Sequence, residues 1–225
     1  MMSISDSLQA VKTRITAACA SAGWSPDVVK LLVVSKTFPA TAVRQAFEAG
    51  ARAFGENYVQ EGLAKISELS DLRGQIEWHL IGPLQANKTR VVAEHFDWVH
   101  TVDRLKIAER LAEQRPAGMP PLNVCLQVNI SAEATKSGLL PDEVPPLARL
   151  VAALPQLKLR GLMAIPEPGP GAREQHQAMS ALFQQLRTQG LDLDTLSLGM
   201  SADMEDAIAA GSTLVRVGSA IFGHR

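Results

Sequence analysis

Leu214-Val215-Arg216-Val217-Gly218-Ser219 decides between the two folds open to this chain. Its aliphatic, β-branched residues read as a short buried strand, yet an arginine interrupts them. An open parallel sheet is covered on both faces by apolar helices, which makes a charged side chain midway along a strand awkward. A closed barrel offers such a residue a place, because its mouth can hold a wet site. Gln127 and Asn129 pose the same problem, alternating with Val124, Leu126 and Val128.

Outward from there, strand-like runs recur at about 30–36, 52–56, 76–82, 97–102, 123–130, 158–165, 195–199 and 213–218. Helical patterns separate them: Val43, Ala46 and Phe47; Val59, Leu63 and Ile66; 84–95; Leu105, Ala108 and Leu111; 144–154; Met179, Leu182, Phe183 and Leu186; Met204 and Ile208. A leading helix on Leu8, Val11, Ile15, Cys19 and Ala22 ends near Gly23. Eight strand-then-helix units, the last closed by a short helical turn after Gly218, predict an α/β fold. It is a single (β/α)₈ TIM-type barrel with an extra N-terminal helix, in a size class starting at about 200 residues. The alternative is an open, doubly wound sheet. The stretches Pro116–Pro121 and Pro166–Gly171 read as connections rather than linkers, so residues 1–225 are expected to form one domain.

Composition narrows the function. With 46% hydrophobic residues and a net charge of −1, the chain has a core but no electrostatic footprint for nucleic acid. Met1-Met2-Ser3-Ile4-Ser5-Asp6 lacks the features of a signal peptide, and no apolar stretch approaches the roughly 18 residues of a membrane span. Cys19 and Cys125 read as reduced core residues of a cytoplasmic protein, and the histidines lack metal-ligand spacing. Neither a metal nor a membrane is expected.

In such barrels the loops after the strands build the site, often with a phosphate pocket near strands 7 and 8. Lys36 ends the apolar run Lys30-Leu31-Leu32-Val33-Val34-Ser35-Lys36, where burial is expected to lower its pKa and free a nucleophilic amine. A strand-end lysine snorkelling to water is the plainer reading of that segment alone. Ser201, read as a helix N-cap after Gly199, and Ser219, after Gly218, would offer unpaired donors to an anion. Asp203 complicates this pocket, being directed away from the anion or stabilising its own helix. His79 could line the barrel or be a satisfied core histidine; Asn57 could cap a helix or touch a ligand. Lys88 is read as a solvated charge one turn into a helix, and Lys136 as a mobile residue near the mouth. An amine on strand 1, an anion pocket on strands 7 and 8 and a buried Arg216 between them all serve one ligand, pyridoxal phosphate.

The stretches that carry these residues resemble the pyridoxal phosphate homeostasis protein family. They are Val34-Ser35-Lys36-Thr37, Phe54-Gly55-Glu56-Asn57-Tyr58, Trp78-His79-Leu80-Ile81-Gly82, Asn87-Lys88, Val128-Asn129-Ile130, Lys136-Ser137-Gly138 and Gly161-Leu162-Met163. The closing segment from Gly199-Met200-Ser201-Ala202-Asp203-Met204-Glu205 through Arg216-Val217-Gly218 to Ile221-Phe222-Gly223 is the most specific. The resemblance implies a barrel similar to the N-terminal domain of alanine racemase, with the cofactor held as a Schiff base on Lys36. It also implies phosphate contacts from Ser201, Gly218 and Ser219, a ring-nitrogen contact from Arg216 and a pocket contribution from Asn57. The implied role is binding and carrying the cofactor in vitamin B6 and amino-acid homeostasis, with PLP-requiring apo-enzymes as partners and no assigned reaction. Where members often carry a second lysine two positions after the first, this chain has Phe38.

Two catalytic readings compete. An amino-acid racemase needs an acid/base on each face of the substrate carbanion. With the sequence stopping at Arg225, the further domain that supplies the racemases' tyrosine is not expected, and Tyr58 is expected to pack on the helical side. A cofactor-free aldolase would use Lys36 directly on a phosphorylated sugar. No exposed leucine- or aromatic-rich stripe stands out, which favours a monomer.

Overall fold

β8 (Leu214–Val217) returns to lie beside β1 (Lys30–Val34), pairing Leu31 with Val215, Leu32 with Arg216 and Val33 with Val217. That pairing closes a ring in which β2 (Ala53–Glu56), β3 (Glu77–Leu80), β4 (Trp98–Val102), β5 (Leu122–Val128), β6 (Leu157–Ala164) and β7 (Thr195–Ser197) follow in chain order. Every neighbour is parallel, so the fold is a closed eight-stranded barrel and the open sheet is excluded. The computed structural model describes residues 3–223 apart from 134, 168 and 170. Met1-Met2, Ala134, Pro168, Pro170 and Arg225, which figure in the sequence readings above, lie outside the described residues.

Several strands end sooner than their apolar runs. β1 stops at Val34, β3 at Leu80, β5 at Val128 and β7 at Ser197, and the remaining residues of each run turn into the loops at the mouth. Ladder pairing lasts only while two strands run side by side, whereas the apolar pattern continues into the walls of the site.

α1 (Ile4–Ser21) begins with Ser3, whose hydroxyl accepts the Asp6 N–H at 3.1 Å in a capping box. It buries Leu8, Val11, Ile15 and Cys19, one face at helical spacing. That face packs on α2 (Ala40–Glu48), α8 (Met204–Ala210) and α9 (Ser219–Phe222), covering the seam where β8 meets β1. α3 (Val59–Glu68), α4 (Thr89–His95), α5 (Leu105–Gln114), α6 (Val144–Ala152) and α7 (Ala172–Thr188) complete the outer layer.

The main core lies between strands and helices, with Phe54, Trp78, Phe96, Val124, Leu126 and Leu162 among its buried members. Trp98, Cys125 and Met163 form a separate small cluster inside the barrel. Both cysteines are free and buried, as expected, and burial pushes the Cys125 thiol up to about 12. Among the described residues no helix is long and apolar enough to cross a membrane.

Close approach between β2 and β3 depends on Gly82. A Cβ there would lie 2.0 Å from the Asn57 carbonyl oxygen, which is backbone and cannot swing aside. Gly82→Ala is therefore expected to destabilise the barrel by roughly 1–3 kcal/mol, the usual cost of overpacking. Thermal unfolding should show a midpoint lower by about 2–4 °C per kcal/mol.

Candidate functional site

All the strands point their C-terminal ends at one mouth. Lys36 stands there, two residues beyond β1, in a turn closed by the Phe38 N–H donating to the Ser35 carbonyl at 3.1 Å. Burial ends with Ser35, and Lys36 is exposed, so the desolvation expected of it is absent. The mouth is open on this side, which leaves the amine accessible to a ligand.

The β1–β8 pairing puts this turn beside the start of α9. A Cβ on Gly218 would meet the Val34 carbonyl oxygen at 2.9 Å, so glycine lets the two backbones run in contact. Phe38 stacks on Phe222 of α9 with ring centroids 4.8 Å apart, a second tie between the turn and that helix.

Ser219 opens α9, and its hydroxyl donates to the Ser201 hydroxyl at 3.2 Å. The two serines expected to share an anion are thus brought together. The backbone N–H groups of Ser201, Ala202, Gly218, Ser219 and Ala220 find no acceptor among the described residues, so free donors surround the pair. Ser201 is not the N-cap of α8, however. That position belongs to Asp203, and Ser201 sits in the preceding turn. The turn is fixed from outside by Arg14 of α1, which donates to the Ser201 carbonyl at 3.0 Å and forks onto Glu205.

Asp203 is directed away from the serines. Its carboxylate accepts the Met200 N–H at 2.8 Å and pairs with Nε2 of the buried His176 at 3.0 Å. These contacts hold its pKa below the usual carboxylate range in spite of its burial.

Arg216 points into the barrel. It donates to the Ser197 carbonyl at 2.7 Å, to the Ser197 hydroxyl at 2.6 Å and to the Ala164 carbonyl at 2.8 Å. Among the described residues no carboxylate touches it, and burial lowers its pKa to about 10, which still leaves it charged at neutral pH. Its hold on Ser197 begins a chain that the sequence reading missed. The Ser197 hydroxyl, which accepts from Arg216, also meets Nδ1 of His100 at 3.2 Å. Nε2 of His100 shares a hydrogen bond with Nδ1 of His79 at 2.9 Å, the tautomers of the two rings setting which nitrogen donates. Nε2 of His79 is buried with no partner among the described residues, and the ring stacks on Trp98 at 5.0 Å. It lines the barrel and is a core histidine only partly satisfied.

Asn57, past the end of β2, lines a cleft of about 310 Å³ with Thr101, Gln127, Asn129 and Lys136. Asn129 is buried and donates to the carbonyls of Glu133 and Lys136, tying down the loop after β5. Lys136 pairs with Glu133 and, at 3.7 Å, with Glu167, so that loop is tethered across to the one after β6. Two residues differ from expectation: Tyr58 is 60% exposed instead of packed, and Lys88, which closes the helical turn Ala86–Lys88 leading into α4, is half-buried instead of fully solvated.

The chain matches the family model for the N-terminal domain of alanine racemase over residues 7–225. It is 58% identical to a pyridoxal phosphate homeostasis protein of Pseudomonas aeruginosa, covering 100% of this chain and 97% of the relative. Its identity to the pyridoxal phosphate homeostasis protein of Escherichia coli K12 is 56%, covering 100% and 98%. PipY of Synechococcus elongatus PCC7942, solved with PLP bound, superposes with a TM-score of 0.81 at 38% identity, covering 93% of this chain and 100% of PipY. An alanine racemase from Clostridium difficile shares the fold at a TM-score of 0.76 and 16% identity, the chain covering 57% of its length.

The two imidazoles carry a pH dependence. Burial is the main cause that lowers His79 well below its ordinary value and His100 to about 3; His100, Lys30 and Arg160 add at His79, and Arg216 adds at His100. Between pH 6.5 and about 3 the unfolded chain takes up protons that the folded one refuses, so stability falls as pH falls through that window. Chemical denaturation at a series of pH values should show this slope. It should flatten in His100→Gln, and an equal slope in that variant would remove His100 as its source.

Proposed function

The chain belongs to the pyridoxal phosphate homeostasis proteins, built on the alanine racemase N-terminal domain, and from that membership we propose that it holds pyridoxal 5'-phosphate at the barrel mouth. One observation carries the reading: the Ser201–Ser219 hydroxyl contact lies beside the Lys36 turn, with Arg216 buried below. The residues fit the group by their chemistry. Lys36 is an accessible primary amine, the serines and the N–H groups around Gly218 and Ser219 are donors suited to a phosphate, and Asn57 adds a polar group across the mouth.

When bound, the cofactor supplies an aldehyde for a lysine and a ring that withdraws electrons. The protein's own part is to hold the phosphate with Ser201, Gly218 and Ser219, to present the Lys36 amine, and to face the ring nitrogen with Arg216. A guanidinium has no acceptor and cannot take a proton, so it leaves that nitrogen unprotonated and restrains the electron sink. The Ser197 and Ala164 contacts keep Arg216 from swinging toward a different partner.

The role is cofactor binding and delivery in vitamin B6 and amino-acid homeostasis, in the cytoplasm, by a single-domain monomer that serves PLP-requiring apo-enzymes and catalyses no reaction of its own. An open mouth suits exchange of a ligand better than chemistry that must exclude water. The single tyrosine, Tyr58, is exposed and lies at the N-cap of α3, which weakens the racemase reading.

Colour is the direct test. Purified protein incubated with pyridoxal phosphate should turn yellow and bleach with borohydride, with the reduced adduct mapping to Lys36 by peptide mass analysis. Lys36→Ala should fold, lose the colour and still bind the ligand weakly through its phosphate. Full colour in Lys36→Ala would mean another lysine is used. A protein that never colours would favour the cofactor-free aldolase.

The phosphate contacts are tested separately. A hydrogen bond to a charged group is worth roughly 1.5–3 kcal/mol, so Ser201→Ala should weaken retention of the ligand about tenfold or more. Equilibrium dialysis would measure it, and unchanged dissociation in both Ser201→Ala and Ser219→Ala would displace the phosphate from this pocket.

A further inference from the structure

The turn that presents Lys36 is held in an unfavourable backbone shape. Phe38 N–H closes it onto the Ser35 carbonyl, and Thr37, at the third position, has φ +66°. A positive φ at that position belongs to the type II turn and favours glycine or asparagine. A β-branched threonine there is strained, and such strain persists only where the surroundings impose it.

A buried charge cluster does the imposing. Lys65 of α3 is 3% exposed, and its ammonium donates to the Ser35 carbonyl at 2.6 Å, to Glu56 Oε1 at 2.7 Å and to Glu61 Oε1 at 2.7 Å. All three of its protons are thereby used. Glu56, fully buried at the end of β2, also accepts the Ser35 hydroxyl at 2.5 Å. Glu61 accepts the Thr37 N–H at 2.5 Å. The residues on either side of Lys36 are therefore fastened to the same three side chains, while the Lys36 side chain has no partner among the described residues.

We propose that Glu56, Lys65 and Glu61 are positioning residues that clamp the Ser35–Phe38 turn in its strained form and so aim the Lys36 amine into the mouth. This rests on the reading of Lys36 as the cofactor lysine. The cluster acts through the turn and does not touch the ligand itself. A flexible four-carbon side chain gains little from burial it does not have, so the direction of its root sets where the amine can reach. Buried ion clusters of this kind are weak sources of net stability, and fixing one conformation is their better-attested use.

Glu61 offers the cleanest test, because it is the least buried member and faces solvent on one side. In the protein without added cofactor, amide hydrogen exchange at Thr37 should accelerate about tenfold or more in Glu61→Ala, the factor expected for one charge-assisted hydrogen bond. Exchange at Leu32 and Val33 in β1 should be unchanged. Glu61→Gln keeps an acceptor for the Thr37 N–H and should restore most of the protection. With pyridoxal phosphate added, the rate at which Lys36 forms its borohydride-reducible adduct should follow the same order: wild type, then Glu61→Gln, then Glu61→Ala.

A purely structural role would lower the unfolding midpoint and raise exchange throughout β1 and α3 without singling out Thr37. Unchanged Thr37 exchange in Glu61→Ala, or an adduct rate equal to that of wild type, would overturn the clamp. An adduct found on a lysine other than Lys36 in the wild type would overturn the cofactor reading. The exchange measurement would still show whether the cluster holds the turn.

Discussion

Pairing of β8 with β1 is the constraint on which the rest of the structure depends. It is the one long-range closure in a barrel whose other ladders join neighbours in sequence. By setting Val33 level with Val217 it brings the Lys36 turn against Gly218 and the start of α9, some 180 residues away along the chain. The same closure turns Arg216 into the lumen instead of into a helical layer. A guanidinium between a sheet and apolar helices would be buried without partners, whereas in the lumen it meets Ser197 and the Ala164 carbonyl. α1 guards this seam from outside, and through Arg14 it reaches the Ser201 turn as well.

Around the closure the mouth divides into two unlike halves. The side formed by β7, β8 and β1 is rich in donors and poor in carboxylates: Asp203 is drawn off by His176 and Met200, and the serines face each other. The side formed by β2 to β6 is a cleft with amides, a hydroxyl and Lys136, tethered by Glu133 and Glu167. Those two acids are close enough to influence each other. Contacts with Glu167, Lys136 and Ser131 lower Glu133 to about 2, while Glu133 raises Glu167. An anionic ligand is therefore favoured on the first side, while on the second the loop after β5 is fastened by side chains and by Asn129.

The strands and the closed barrel were legible in the sequence because each strand is a short apolar run bounded by turn residues, and because Arg216 and Gln127 sit where an open sheet could not accommodate them. Lys36, Ser201, Gly218 and Ser219 were legible as residues at strand ends. Their detailed settings were not. The apolar run carries on to Lys36 and cannot show that pairing with β2 stops at Ser35, whose N–H donates to the Gly55 carbonyl, so Lys36 was expected to be buried and is exposed. Ser201 was read as a cap because serine is a common one, but the cap position falls two residues later, at Asp203. Tyr58 was assigned to packing by its aromatic ring, and its place at the N-cap of α3 turns it outward.

What the sequence hid altogether is polar and non-local. His100 and Ser197 lie on strands far apart in the chain, and only closure makes them neighbours of each other and of Arg216. For His100 a clue was present, since it follows Trp98 and Val99 in a largely apolar strand, as Gln127 interrupts β5. The cluster of Glu56, Lys65 and Glu61 left a fainter trace. Glu61 and Lys65 are spaced as a helical ion pair, which usually marks a solvated face. Here the face is turned inward because Glu56, at the end of a buried strand, needs a counter-charge, and Lys65 is the cation within reach. A charge placed at a strand end thus dictates the orientation of the next helix, and that helix in turn dictates the shape of the preceding turn through Thr37.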